Sequence, residues 1–332
     1  MQGDDVLLRL MLAGATFLTT KEKTVLQNNL DGSASFALYS IEDISRVVRR
    51  VIRRATWNGA ERLAQAQREA RVLDALGIRW TAWDSADFPA LLREMADPPY
   101  LLFYRGNMDC LKNPCVSVVG TRRATVSARK ATETFARDAA DDGCTVVSGL
   151  AYGIDGYAHK GCLLSARGQT AAVLPCGIDT ITPSAHKKLA QRLLEKGGVL
   201  LSEYAPGTGA QAFRFVQRNR IVAALSSATV VMQAPAGSGA LITAEFALEY
   251  GRDVLLHAEC FSDDARLVEQ EAIRQLRMQA ARGKNVAHKL AQSVQRYRDD
   301  GAPVIAGYAD YQSCRADAPG CGNRDDRQST LF

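Results

Sequence analysis

The stretch CVSVVGTRRAT, residues 115–125, decides the fold. A short run rich in β-branched residues, with Val116, Val118 and Val119, stops at Gly120, and a helical apolar pattern begins near Thr125. A buried strand that turns at a glycine straight into a helix opens a βαβ unit. The same texture continues downstream. It predicts strands at 115–119, 145–148, 170–174, 199–202, 229–233 and 253–256, with helices near 126–140, 155–166, 185–195, 219–225 and 240–250. Such alternation needs right-handed crossovers, and therefore a parallel sheet with helices on both faces.

In an open parallel sheet, ligands collect beyond the carboxyl ends of the strands, so the loops that follow them matter most. The first offers Gly120-Thr121-Arg122-Arg123, where a glycine admits close approach, a helix start aims amides outward and two guanidiniums add charge. The second offers Ser148-Gly149 and Gly153-Ile154-Asp155, with His159 further on. Asp155 and His159, four residues apart, form either a functional pair or a capping carboxylate beside a half-buried imidazole. Cys176 follows the third strand with no base partner in sight. After the fourth come Glu203, Phe213, Phe215, Arg218, Asn219 and Arg220, and after the fifth Pro235-Ala236-Gly237-Ser238-Gly239. Three glycine-bearing loops and the arginines Arg122, Arg123, Arg218 and Arg220 are expected to converge on one rim, which reads as a phosphate-binding edge.

Several chemistries lose support. No G-x-G-x-x-G follows the first strand, no P-loop ends in Lys-Ser/Thr, and no G-x-S-x-G elbow is present. His159, His186, His257 and His288 are scattered, with no H-x-x-x-H pair. Neither a cofactor nor a metal is expected. The eight cysteines contain no C-x-x-C and mostly sit in apolar runs, as reduced cytoplasmic thiols do. Cys314 and Cys321, in a polar segment, lack the further ligands that zinc requires.

Upstream, residues 1–75 read as helical, with apolar spacing at 6–18, 41–52 and 60–76. The run at 6–18 is broken by Arg9 and preceded by Asp4 and Asp5, unlike a secretory signal, and no membrane span is expected. Helical spacing places Arg46, Arg49, Arg50 and Arg53 on one face, as a solvated surface or an auxiliary phosphate stripe. A bridge follows, with a strand near 78–83, a helix at 90–95 and a strand at 100–104. The expected partition is a helical domain at 1–77, an α/β domain at 78–259 that includes the bridge at 78–114, a helical segment at 260–300, and a mobile tail at 301–332. The 332 residues suit two or three such units, and 47 % apolar with 23 % charged residues excludes wholesale disorder. Forty-one Lys and Arg against 36 Asp and Glu leave +5, a mild excess that permits a polyanionic partner.

Taken in order, VSVVGTRRAT from Val116, VSGLAYGIDGYAH from Val147, AAVLPCGIDTITP from Ala171, LLSEY from Leu200, RNRIVAALS from Arg218 and SGALITAEFALEYGRDV from Ser238 resemble the DNA-processing protein A family, also called DprA or Smf. The resemblance covers 116–254 closely and the start and bridge more loosely. It implies an extended Rossmann-like domain preceded by a small sterile-alpha-motif-like helical domain. It also implies sequence-independent binding of single-stranded DNA during natural transformation, loading of the RecA recombinase, a homodimer, and no required catalysis. It implies that Arg122, Arg218 and Arg220 meet phosphates, with Arg123 in the same turn. Ser148, Gly149, Ser238 and Gly239 would line their pocket, and Lys187 lies in a basic segment nearby. Phe213 or Phe215 offers a face for stacking, or else belongs to the core.

Departures stand at Val216, Gln233, Ala258 and Glu259, and the family's winged-helix-like C-terminal domain is not recognisable in 260–332. The final Gln328-Ser329-Thr330-Leu331-Phe332 resembles a peptide that docks on the replication sliding clamp. The alternative is a nucleotide-binding enzyme of the lysine-decarboxylase-like phosphoribohydrolase type, in which Glu245 would be the catalytic carboxylate.

Overall fold

The structure, a computed structural model, describes residues 2–316. Five helices lead: α1 (Gln2–Gly14), α2 (Thr20–Asn28), α3 (Ser33–Ala37), α4 (Ile41–Val48) and α5 (Gly59–Ala75). The bridge is β1 (Arg79–Ala82), α6 (Ala90–Arg93) and β2 (Leu101–Gly106). The alternating part is β3 (Cys115–Gly120), α7 (Val126–Asp141), β4 (Thr145–Ser148), α8 (Ile154–Leu164), β5 (Thr170–Val173), α9 (Lys187–Glu195), β6 (Val199–Ser202), α10 (Ala212–Ala224), β7 (Ala228–Gln233), α11 (Gly239–Glu249) and β8 (Asp253–His257). It ends in α12 (Asp263–Ala281), α13 (Ala287–Ala291), α14 (Val294–Asp299), β9 (Val304–Ile305) and α15 (Tyr308–Ala316).

All nine strands form one sheet in the order β1-β2-β6-β5-β4-β3-β7-β8-β9. The strands from β6 across to β9 run parallel, while β2 and β1 add antiparallel at one side. This is an extended Rossmann-like α/β fold. Every residue of β4, β5, β6 and β7 is buried, as expected of strands covered on both faces. From β3 the chain steps one way to β4, β5 and β6, then returns to β3's other side with β7. The switch point therefore lies between β3 and β7, where the carboxyl ends part to leave a crevice.

The leading helices do not close a core of their own. Leu10, Met11, Leu26, Phe36 and Ile44 belong to one buried cluster with Tyr100, Phe103, Leu150, Leu174 and Leu200 of the sheet side. Two capping boxes, Thr19 with Glu22 and Ser40 with Asp43, start α2 and α4. The arginine stripe does not form. Helix α4 stops at Val48 because Arg49 takes a left-handed C-cap conformation at φ 56°, and Arg50 turns away to pair with Glu22.

The expected tail is also corrected over its first half. Val304 and Ile305 pair in parallel with Leu256 and His257. Tyr308 and Tyr311 bury edge-on against Phe135 of α7, with centroids 5.6 and 5.9 Å away. Two such rings stabilise residues 301–316 by a few kcal/mol, enough to hold a segment whose average composition is polar. Cys321 and the QSTLF peptide lie outside the described residues.

Asp155 and His159 do not pair. Asp155 accepts from the Ala151 amide at 3.4 Å, while His159 lies fully buried on the next turn of α8. The Thr170 hydroxyl donates its single proton to the Val146 carbonyl, so it accepts from His159 Nδ1 at 2.9 Å. Nδ1 therefore carries the imidazole proton, and Nε2 is left with no partner. Burial, with His186 and Arg218 adding repulsion, pushes the imidazole down to about 3 from its usual 6.5. The native state thus refuses a proton that the unfolded chain binds below about 6.5. Folding stability is expected to fall as pH drops through that window, by up to about 1.4 kcal/mol per unit. Urea titrations of wild type and His159→Gln at a series of pH values would check this, since the variant should lose that slope.

Candidate functional site

A cleft of about 400 Å³ opens at the switch point, lined by the loops after β3, β4 and β7 and by the first turns of α10 and α11. Each wall follows from local sequence. Gly120 ends β3 against the Ile154 side chain and the Gln233 carbonyl, where a side chain would collide. Thr121 is held by its amide on Gln233 O at 2.7 Å, which leaves Arg122 and Arg123 exposed at the mouth. Gly153 has φ 75° and packs on the backbone of Thr121 and Arg122, so the β4 and β3 loops are braced against each other. Ser238 caps α11 by accepting from the Ala240 amide, and the helix start at Gly239 faces the cleft.

Arg218 forms the floor. It is 3 % exposed, and its Nη1 donates to the carbonyls of Gly149 and Val173 while Nε donates to Asn219 Oδ1 at 3.2 Å. Burial lowers its guanidinium to about 10, opposed by the Asp155 carboxylate. The carboxyl of Asp155, 9 % exposed at the cleft wall, is pushed up by desolvation and held back by Arg218 and by the amides of Ala151 and Gly149. Asn219 completes the brace by donating to the Gly239 carbonyl at 3.2 Å, which ties α10 to the start of α11. Above this floor the Arg122 guanidinium lies 4.9 Å from the Phe215 ring centroid. Phe213 is not core. It stands 57 % exposed on the same turn of α10, with Arg214 5.3 Å from its ring centre.

The structure therefore brings together Arg122, Arg123, Gly149, Arg218, Ser238 and Gly239, and leaves three expected residues elsewhere. Ser148 is fully buried and donates to the Val118 carbonyl at 2.7 Å, joining two strands instead of meeting a ligand. Lys187 is exposed at the start of α9, outside the cleft. Arg220 points the other way, because α10 begins at Ala212 and residues two apart on a helix lie on nearly opposite faces. It is 8 % exposed and paired with Glu203. Burial raises the Glu203 carboxyl, with Arg220 opposing, and the neighbouring buried Lys23 on α2 is pushed down to about 8.

Two departures are accommodated at the edge of the site. Gln233 uses both ends of its amide, accepting from Thr125 N at 2.9 Å and donating to Thr125 Oγ1 at 3.2 Å, a pairing that an ionised carboxylate cannot make. Glu259 accepts from Ser127 at 2.7 Å in the first turn of α7, where a negative charge suits the helix dipole. Val216 lines the cleft mouth. Glu245 does not line it, since it lies two residues beyond Thr243, which does. Among the described residues no group of His, Cys, Asp and Glu could hold a metal, and no helix is long and apolar enough to cross a membrane. Asn219 stands on the expected rim without an assigned role, and its brace to Gly239 is what the sequence does not show; Thr243 lines the cleft as well, again with no role read from the sequence.

Comparison with known proteins adds an independent line. A family model described as DNA recombination-mediator protein A matches residues 79–295. Protein Smf of Borreliella burgdorferi is 33 % identical over 248 residues, covering 75 % of this chain and 78 % of that protein. Protein Smf of Synechocystis is 43 % identical over 175 residues, 52 % of this chain and 44 % of that protein. DNA processing protein DprA of Streptococcus pneumoniae is 43 % identical over 167 residues, 50 % of this chain and 58 % of that protein. The chain thus spans about half the length of these last two relatives. The X-ray structure of the Streptococcus pneumoniae protein aligns with a TM-score of 0.66 at 28 % identity, covering 92 % of this chain and 95 % of that one.

Proposed function

Because the chain belongs to the DNA recombination-mediator protein A family, we propose that its switch-point cleft binds single-stranded DNA by the phosphate backbone, without reading bases. One observation carries this reading. Two exposed arginines, Arg122 and Arg123, stand over a helix N-terminus and a buried third arginine, with Asp155 as the opposing carboxylate in the cleft lining. Guanidiniums and amides hold phosphate in register and carry no sequence information. Phe215 in the cleft lining adds a face on which any base can stack, whereas Phe213, two residues earlier on α10, lies outside that lining; a duplex would keep its bases from the ring. In this reading the protein holds the strand for the RecA recombinase and acts as a homodimer, two parts that rest on the family alone. The phosphoribohydrolase alternative needs a carboxylate at the cleft from Glu245, and that residue does not line it.

The test is fluorescence anisotropy with labelled oligo-dT across a salt series. Binding should weaken steeply with salt, and Arg122→Ala with Arg123→Ala together should reduce the log–log slope by about 1.4, at about 0.7 per phosphate contact. Affinity indifferent to salt, or untouched by the pair of substitutions, would overturn the assignment.

A further inference from the structure

The charge of this chain is unevenly placed. Residues 274–298 contain seven Lys and Arg and no Asp or Glu, more than the +5 of the whole protein. This stretch is the end of α12, the connection to α13, and α13 and α14. Arg274 pairs with Glu271 and Arg296 with Asp300, whereas Arg277, Arg282, Lys284 and Lys289 meet no carboxylate among the described residues. Arg277, Arg282 and Lys284 are exposed.

The same excursion is fastened to the rim of the cleft. Leu276 and Val286 are buried against Ala236 of the glycine-rich loop, with Ile273 beside them. The Glu269 carboxylate accepts from the Ala236 amide at 2.6 Å. Lys289 lies against Gly237, its Cβ 3.3 Å and its Cδ 3.5 Å from where a Gly237 side chain would start. Gly237 itself lines the cleft. A small apolar contact and one half-buried carboxylate thus hold a cationic ledge next to the mouth, while its charges are left unneutralised. Unpaired like charges gathered on one surface repel each other, and a polyanion relieves that repulsion.

We propose that the ledge formed by Lys289, Lys284, Arg282 and Arg277 is a second binding segment for single-stranded DNA, taking the phosphates of the strand as it leaves the cleft. The occupant is the same strand, because the ledge is continuous with the cleft at Gly237 and has the complementary charge. This inference rests on the cleft being the DNA site, and the experiment separates the two.

The test compares a short oligo-dT of about six nucleotides with a long one of about 25, lengths on either side of a single module's site. The variant is Arg277→Gln, Arg282→Gln and Lys284→Gln together, all exposed positions away from the cleft lining. Short-strand affinity should stay at the wild-type value. Long-strand affinity should drop about 10- to 100-fold near 0.1 M salt, with the salt slope smaller by about 2, at about 0.7 for each of the three lost contacts. Lys284→Glu alone should weaken the long strand in the same direction. Long-strand binding with wild-type affinity and slope would overturn the ledge. So would a loss confined to blunt duplex of equal length. Loss of both lengths in the Arg122 and Arg123 variant, beside an unchanged ledge variant, would sink the ledge and leave the cleft. The reverse pattern would sink the cleft reading and leave the ledge as a separate site.

Discussion

Arg218→Ala is expected to lower folding stability by about 3–5 kcal/mol, a larger effect than any phosphate contact it supplies. The guanidinium holds the carbonyls of Gly149 and Val173 and is the main counter-charge to the buried Asp155 carboxylate. Removing it strands a carboxylate and two carbonyls in the interior. The pH dependence follows from the sign of the Asp155 shift. Its carboxyl is already raised in the fold, and without Arg218 it rises further. The variant therefore binds a proton natively that the unfolded chain has released, and loses stability as pH rises from about 4 toward neutrality. Denaturant midpoints at about pH 5 and about pH 8 should separate for Arg218→Ala, and Asp155→Asn on the same background should close the gap. A midpoint equal to wild type at both values would show that the floor is not held this way. If Arg218→Ala weakens oligonucleotide binding, that loss is thus no direct measure of a phosphate contact; under the proposed function Arg122→Ala, at an exposed position, is the cleaner test.

Arg220→Met is expected to destabilise to a similar degree, about 3–5 kcal/mol, without touching the cleft. Its partner Glu203 keeps a side chain only 12 % exposed, with one oxygen already lacking a hydrogen-bond partner, and Arg220 has one orphaned nitrogen as well. Losing Arg220 leaves Lys23 as the adjacent cation, itself lowered by burial. Because the Glu203 carboxyl is raised in the fold, the loss should deepen as pH rises past about 4.5. Adding Glu203→Gln should restore much of it, since the stranded charge is then gone and the shape nearly kept. Oligo-dT affinity of the folded fraction should match wild type. An Arg220→Met protein that is stable yet fails to bind would return Arg220 to the list of phosphate ligands.

The difference between these two arginines also marks where the sequence was legible. Six parallel strands and their crossovers could be read because buried β-branched runs ending in glycine admit few other conformations. The rim loops followed from topology alone. The start of α10 was hidden, since Gln211 provides no side-chain cap and Phe213 to Gln217 carry no clean apolar period. With the helix begun at Asn219, Arg218 and Arg220 seemed free to face one pocket. Helices α2 and α3 were passed over although Thr19 with Glu22 marks the first of them by a capping box. The arginine stripe of α4 failed because side-chain spacing cannot announce a left-handed residue at Arg49. The end of the chain misled for another reason. Two tyrosines three apart were diluted by the glycines and acids around them, and their packing surface on Phe135 is distant in sequence.

That docked end governs how the protein behaves outside its binding reaction. β9 contributes only two residues, yet with α15 it covers the flank of β8 and the ring of Phe135. A chain cut after Asp300 would retain the cleft, but would expose the whole of β8 as an unpaired edge beside a bared aromatic. Open edges of that kind recruit strands from other copies. The shortened protein would then betray itself by clumping at working concentration before any change in what it grips. The turns of α15 and the short β9 serve as a guard on solubility.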